Sequence, residues 1–196
     1  MAFNELNSVE HYIIHKLSGT NLNTQSFQEP DPAYGLSWSY KSSQELNRTV
    51  NEILVESDLK AALVKLNPAI QANPDLADEV IYKLRAILIS VNQTGLVRAN
   101  EEFAKWLCGD KTMPFGKNNR HIPVRLIDFD ELQNNEYIIT NQYRVRHRET
   151  KIPDVVMLIN GIPVVIGEAK TPIREAISWL DGAHEIHDIY ENAVPQ

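Results

Sequence analysis

The 196 residues carry 19 Lys and Arg against 26 Asp and Glu, for a formal net charge of -7, with 43% hydrophobic and 23% charged residues. A chain of this size can bury a core without disulfides or a structural metal, and its ordinary composition excludes a fibrous or disordered protein. The charge argues against a surface coated with non-specific phosphate contacts, no apolar run approaches a membrane span, and the polar start and single Cys108 lead us to expect a cytoplasmic protein without a secretory signal.

Asn7 and Ser8 can cap a first helix with Val9, Tyr12, Ile13 and Leu17 on one side, closed by Gly19. A polar loop with Pro30, Pro32 and Gly35 follows, then a short strand over residues 36–40. Ser42 and Glu45 have capping-box spacing, and Leu46, Val50, Ile53 and Leu54 repeat at helical intervals. That pattern breaks at Ser57-Asp58 and resumes through Leu59, Leu63 and Leu66 until Asn67-Pro68 stops it. Asn73-Pro74-Asp75 starts another helix, with Pro at its first position, that carries Leu76, Val80, Leu84, Ile87, Leu88 and Val91. A shorter helix over residues 100–107 buries Phe103, Trp106 and Leu107. Trp38, Trp106 and Trp179 read as core or half-buried anchors.

Around Pro123 the period changes. Residues 124–129 and 137–145 have the composition of strands, separated by the turn-prone Gln133-Asn134-Asn135. Residues 154–159 and 162–168 form a second strand pair joined through Asn160-Gly161, the strongest hairpin signal in the chain. From Arg174 a final helix carries Ile177, Leu180, Ile186 and Ile189. Helices, then strands, then a helix predict one α/β domain with a mixed β-sheet flanked by helices, its helical part over about residues 1–120 and its sheet core over about 121–196.

The hairpin is apolar along its length, yet Asp154 stands at one end of it and Glu168 and Lys170 at the other. Folding at Asn160-Gly161 brings these ends together, where ionised groups need partners. Two carboxylates and an adjacent backbone carbonyl suit a hard cation such as Mg²⁺, and a neighbouring lysine suits charge developing on a phosphodiester. The spacing also recurs at Glu149-Thr-Lys151 and Asp58-Leu-Lys60, but neither lies at the ends of paired apolar strands. The plain alternative is an edge salt bridge between Lys170 and a carboxylate. His11 with His15, and His184 with His187, have helical ligand spacing but no third ligand nearby, so zinc is not expected. Arg144, Arg146, Arg148 and Lys151 form the densest basic strip, a candidate nucleic-acid contact or a solvated strand edge.

Residues 153–170, with Leu126-Ile-Asp-Phe-Asp and Asn141-Gln-Tyr before them, resemble the PD-(D/E)xK nuclease core. More narrowly, they resemble the N-terminal nuclease domain of the restriction (R) subunit of Type I restriction–modification enzymes. The opening helix, with Val9-Glu10 at its start, is similar as well. The resemblance implies a restriction-endonuclease-like core with an added N-terminal helical region, and a Mg²⁺-dependent endodeoxyribonuclease. It makes Asp154, Glu168 and Lys170 the catalytic set, with the Ala169 carbonyl and, as an outer acidic residue, Glu10 added to the metal ligands. It also implies Gln and Tyr four apart on the following helix; the nearest equivalents here are Glu185 and Tyr190, five apart. Double-stranded DNA and the methylation and specificity subunits are the implied partners, and ATP enters only through motor domains of a longer chain, since no Gly-x₄-Gly-Lys-Ser/Thr is present. The alternatives are a repair or junction-resolving nuclease of the same fold, or a catalytically silent module that docks DNA or other subunits.

Strand parity adds a geometric expectation. A strict two-residue turn at Asn160-Gly161 pairs Ile159 with Ile162 and points Glu168 away from Asp154. A type I turn closing on a left-handed Gly161 with its bulge, or an equivalent distortion, puts Asp154, Glu168 and Lys170 on one face.

Overall fold

The computed structural model describes residues 9–22, 38–170 and 178–194. Asn7, Ser8, the proline-containing loop and the start of the final helix at Arg174 and Ile177 lie outside them. The described chain is mixed α/β and divides into two compact units. Leu54–Glu136 with Ile159–Ile162 form one; the described residues of Met1–Ile53, Tyr137–Leu158 and Pro163–Val194 form the other. The division therefore does not fall at one point near residue 120: the first helix and first strand belong with the sheet.

In the helical unit, Pro68 and Pro74 punctuate the chain as their missing N–H groups require. Helix α2 (Glu56–Leu66) ends at Asn67, α3 (Pro68–Ala72) begins with Pro68, and α4 (Leu76–Thr94) follows Pro74 and Asp75. Helix α5 (Leu96–Leu107) starts earlier than residue 100, directly after Gly95. Leu59, Leu63, Ile70, Val80, Leu84 and Trp106 are buried in one core with Met113, Val124, Leu126 and Ile162. Two short strands, β2 (Thr112–Met113) and β3 (Ile122–Pro123), pair antiparallel.

Residues 124–129 are buried at Val124, Leu126 and Ile127 but form no strand. Their backbone groups are served by asparagine side chains instead of a ladder. Asn67 accepts from the Arg125 N–H (2.8 Å) and donates to the Arg125 carbonyl (2.9 Å). Asn135 accepts from the Asp128 N–H, and Asn160 donates to the Leu126 carbonyl.

In the sheet unit, α1 (His11–Ser18) ends at a left-handed Gly19. It buries Ile14 against Ile139 and Val155, while Tyr12, expected inside, is 53% exposed. Strand β1 (Ser39–Tyr40) runs parallel to β4 (Tyr137–Asn141), and the sheet continues through β7 (Val155–Ile159) to β8 (Ile162–Gly167). Between β4 and β7, β5 (Val145–Arg146) pairs antiparallel with β6 (Thr150–Lys151). The strand expected over 137–145 is thus broken, at Gln142.

No helix spans Leu46 to Ile53, although Ser42 and Thr49 each bond a glutamate three residues on, Glu45 and Glu52. Each makes one isolated turn, because the carbonyls a helix would use are taken elsewhere: Val50 by the Arg146 N–H, Glu52 by Arg48 and Ile53 by the Tyr143 hydroxyl. At the C-terminal end, α6 (Trp179–His184) opens on a capping box at Ser178 and Asp181. A π-helical segment (Glu185–Tyr190) and α7 (Glu191–Ala193) follow. Trp179 and Leu180 face solvent at 77% and 58% exposure, so neither is a core anchor.

Candidate active site

The hairpin turn differs from the bulged turn expected. Asn160 and Gly161 both have positive φ, 53° and 77°, as a two-residue type I′ turn requires. A Cβ on Gly161 would lie 2.4 Å from the Val55 carbonyl oxygen, so the site tolerates only glycine. This turn sets Ile159 opposite Ile162, and an undistorted ladder from there would place Val155 opposite Ile166. Instead, a Cβ built on Gly167 falls 3.6 Å from the Val155 Cβ, so residue 167 shares Val155's face. The offset of one residue is absorbed within β8, where Val164, Val165 and Ile166 are all exposed and alternation is lost. An equivalent distortion thus replaces the turn bulge, and it brings Glu168 back beside Asp154.

Asp154 precedes β7. Its Oδ2 accepts the Ala169 N–H at 2.8 Å, and its carbonyl accepts the Gln142 N–H at 3.0 Å. The Glu168 side chain is 4% exposed, and burial pushes its pKa up to about 7. The hydroxyl of Tyr190 donates to it and opposes that rise, while the charges of Asp154 and Glu185 add to it. Lys170 Nζ sits 2.7 Å from Glu185 Oε2 and 3.7 Å from Glu168 Oε2. Its bond to Glu185 raises its pKa and keeps the ammonium charged. The edge salt bridge is therefore present, but Lys170's shorter partner is Glu185.

Glu10, just ahead of α1, is 2% exposed. Both its oxygens accept from Gln142 Nε2 at 3.1 Å, and Asn141 reaches it at 3.4 Å. Burial raises its pKa above the usual carboxylate value, and the charge of Asp154 raises it further.

Glu185 and Tyr190 both reach the centre despite their five-residue spacing. On an α-helix they would diverge; a π-helix closes i to i+5, which returns the fifth residue to the same face. Gly182 faces the centre: a Cβ there would make ordinary contact, 3.6 Å, with both Glu168 Cβ and Lys170 Cγ.

The side chains of the basic strip divide into two sets. Val145 is buried, so alternation turns Arg144 and Arg146 outward, and both are exposed. Arg148 bonds through its N–H and guanidinium to the Ala193 and Asn192 carbonyls, and Lys151 pairs with Glu149 at 3.0 Å.

Gln142 and Gly182 carried no role in the sequence. Asn141-Gln-Tyr was a visible motif, but nothing in one dimension marked Gln142 as a donor to two carboxylates. Among the described residues no three His, Cys, Asp or Glu side chains gather as a metal-binding group. Two carboxylates and a carbonyl still fit a hard cation that retains water.

Residues 29–196 match the family model described as Type I restriction enzyme R protein N terminus. The chain is 27% identical over 173 residues to the Type I restriction enzyme HindI endonuclease subunit of Haemophilus influenzae, covering 82% of this chain and 16% of that protein. It is 30% identical over 147 residues to a Methanocaldococcus jannaschii protein provisionally named type I restriction enzyme MjaIXP endonuclease subunit, covering 70% of this chain and 14% of that one. The chain thus spans about a sixth of these curated relatives' length. No solved structure matches it.

Proposed function

The chain belongs to the Type I restriction enzyme R protein N-terminal family, and we propose that it is a metal-dependent endonuclease domain with a PD-(D/E)xK core, hydrolysing phosphodiesters of double-stranded DNA. The observation that carries this reading is the pairing of the buried Glu168 carboxylate with Asp154, beside Lys170, at the end of an apolar hairpin. Burial, and after it the charge of Asp154, makes the Glu168 carboxylate resist ionisation. A divalent cation offsets both effects, and the oxygen-only donor set of Asp154, Glu168 and the Ala169 carbonyl favours Mg²⁺.

When bound, the cation supplies Lewis acidity toward the scissile phosphate. Asp154 and Glu168 would hold it, and Tyr190 fixes the Glu168 carboxylate through its hydroxyl. Lys170, kept charged and aimed by Glu185, offers an ammonium to the negative charge that grows on the phosphate oxygens. Arg144 and Arg146 present exposed cations for the DNA backbone.

The family match favours restriction over repair or junction resolution. The pairing of buried Glu168 with Asp154 favours an active centre over a silent docking module. The working enzyme in this reading is cytoplasmic and joins this domain to ATP-driven motor domains and to methylation and specificity subunits. Among the described residues no helix is long and apolar enough to cross a membrane.

The test is Asp154→Ala, Glu168→Ala and Lys170→Ala in the assembled enzyme. Each is expected to slow DNA cleavage by on the order of 10³-fold or more. Calorimetry should show Mg²⁺ binding lost in the two carboxylate variants and largely kept in the lysine variant, because an ammonium has no lone pair to offer. Normal cleavage by Glu168→Ala at ordinary Mg²⁺ overturns the proposal.

A further inference from the structure

We infer that Gln142 is the positioning residue for this centre: its left-handed backbone anchors the Asp154 carbonyl while its side-chain amide bridges the Asp154 and Glu10 carboxylates. The inference rests on the nuclease reading above and adds to it a residue that touches neither substrate nor metal.

The backbone carries the first half. In a regular strand, successive N–H groups point to opposite sides. Here the N–H of Gln142 donates to the Asp154 carbonyl and that of Tyr143 to the Pro153 carbonyl, both at 3.0 Å. Two consecutive amides can serve one neighbouring segment only if the chain kinks, and the φ of +52° at Gln142 makes the kink. The backbone immediately ahead of β7 is thereby clamped at the residue that must present a carboxylate.

The side chain carries the second half. Gln142 Nε2 lies 3.1 Å from both Glu10 oxygens and 3.4 Å from Asp154 Oδ1. An amide nitrogen has two hydrogens, enough to hold one carboxylate against the other without adding charge. Asp154 is then fixed from two sides, by Gln142 on Oδ1 and the Ala169 N–H on Oδ2. A left-handed glutamine is a conformation that glycine or asparagine adopts at lower energy, so the glutamine is not there to ease folding.

That asymmetry supplies the experiment. Gln142→Gly keeps the left-handed backbone, relieves its strain and removes the side chain whose amide donates to Glu10 and Asp154. In the full-length subunit, Gln142→Gly should melt no lower than the parent. Calorimetric titration with MgCl₂ should show that the binding removed by Glu168→Ala is weakened by about 10–100-fold in Gln142→Gly, as is usual when a group supporting a metal ligand is lost. DNA cleavage in the assembled enzyme should need correspondingly more Mg²⁺. A lowered melting temperature makes Gln142 a folding residue and overturns the inference. So does unchanged Mg²⁺ binding while Glu168→Ala is inactive, an outcome that leaves the nuclease reading standing. Full activity of Glu168→Ala removes that reading itself.

Discussion

The tip and the base of the β7–β8 hairpin both put polar atoms out of water, with opposite results. At the tip, buried Asn160 accepts from the Glu136 N–H and donates to the Leu126 carbonyl and Asn135 Oδ1, all within 2.9 Å. Asn135 in turn serves both the N–H and the carbonyl of Asp128. Asp128 itself is held below the usual carboxylate range, first by the Asn134 side chain and then by neighbouring backbone N–H groups. At the base, Glu10 and Glu168 are both pushed upward, and burial is the main cause in each. A primary amide donates and accepts, so a cluster of asparagines can close on itself; carboxylates only accept. Gln142, Asn141, Tyr190 and the Ala169 N–H supply donors to the base, yet not enough to offset desolvation. A polar cluster that is fully satisfied builds the fold, and one left short of positive charge is where the proposed cation would be stabilising.

The comparison is tested most severely at the tip. Asn160→Ala leaves the Glu136 N–H and the Leu126 carbonyl without their side-chain partner, leaves Asn135 Oδ1 only the Asp128 N–H, and puts alanine at φ 53°. The expected loss is about 4 kcal/mol or more of unfolding free energy. Gly161→Ala should be comparably damaging, since its methyl meets the Val55 carbonyl oxygen and Leu59 N–H nitrogen at 2.4 and 2.9 Å. Denaturant titration checks both; a loss below about 1 kcal/mol in Asn160→Ala would mean the cluster is not closed as described.

Removing a carboxylate at the base should act in the other direction on stability. Glu168 has a folded-state pKa of about 7 against an ordinary 4.5. The native state therefore binds this proton more tightly than the unfolded chain does, so stability from this group is full below pH 4.5 and is lost as pH rises through about 7. The loss is on the order of 3 kcal/mol for a shift of this size. In metal-free buffer, Glu168→Gln should flatten that part of the pH dependence and exceed the parent in stability at pH 8 while failing to cleave DNA. A variant that keeps the parent's slope between pH 5 and 8 would place the strain elsewhere.

The same contrast explains what the sequence disclosed. Helix limits at Pro68 and Pro74 were legible because proline acts through local sterics, and the hairpin was legible from Asn160-Gly161 and its apolar flanks. Residues 124–129 and the Leu46 to Leu54 stretch were not, because their hydrogen bonds go to groups distant in sequence: Asn67, Asn135 and Asn160 for the first, Tyr143 and Arg146 for the second. At the base, charges ending an apolar hairpin marked Asp154, Glu168 and Lys170 as neighbours. The turn is type I′ and carries no bulge, and the equivalent distortion that restores their convergence lies further along, in β8. Glu185 and Tyr190 looked mis-spaced only against an α-helical period, which the π-helical segment does not obey. Gln142 was invisible because its positive φ and its two carboxylate partners exist only in three dimensions.

The smallest effect is expected at the basic strip, where two halves of one sequence run can be set against each other. Arg144 and Arg146 flank the buried Val145 and project outward, and the carbonyl of Arg144, not its side chain, is what Arg48 binds. Replacing both side chains with alanine should therefore leave stability within about 0.5 kcal/mol. Arg148 and Lys151 are already engaged, by the Asn192 carbonyl and by Glu149. If the outward pair meets DNA phosphates, its loss should weaken duplex binding and reduce the slope of log affinity against log salt by about 0.9 per contact, or roughly 2 in all. Arg148→Ala with Lys151→Ala should change the slope less, because those cations must first leave their present partners. Measuring both double variants in the full-length subunit over a range of salt decides the matter. An equal or larger change from the second pair would move the DNA-facing surface away from β5.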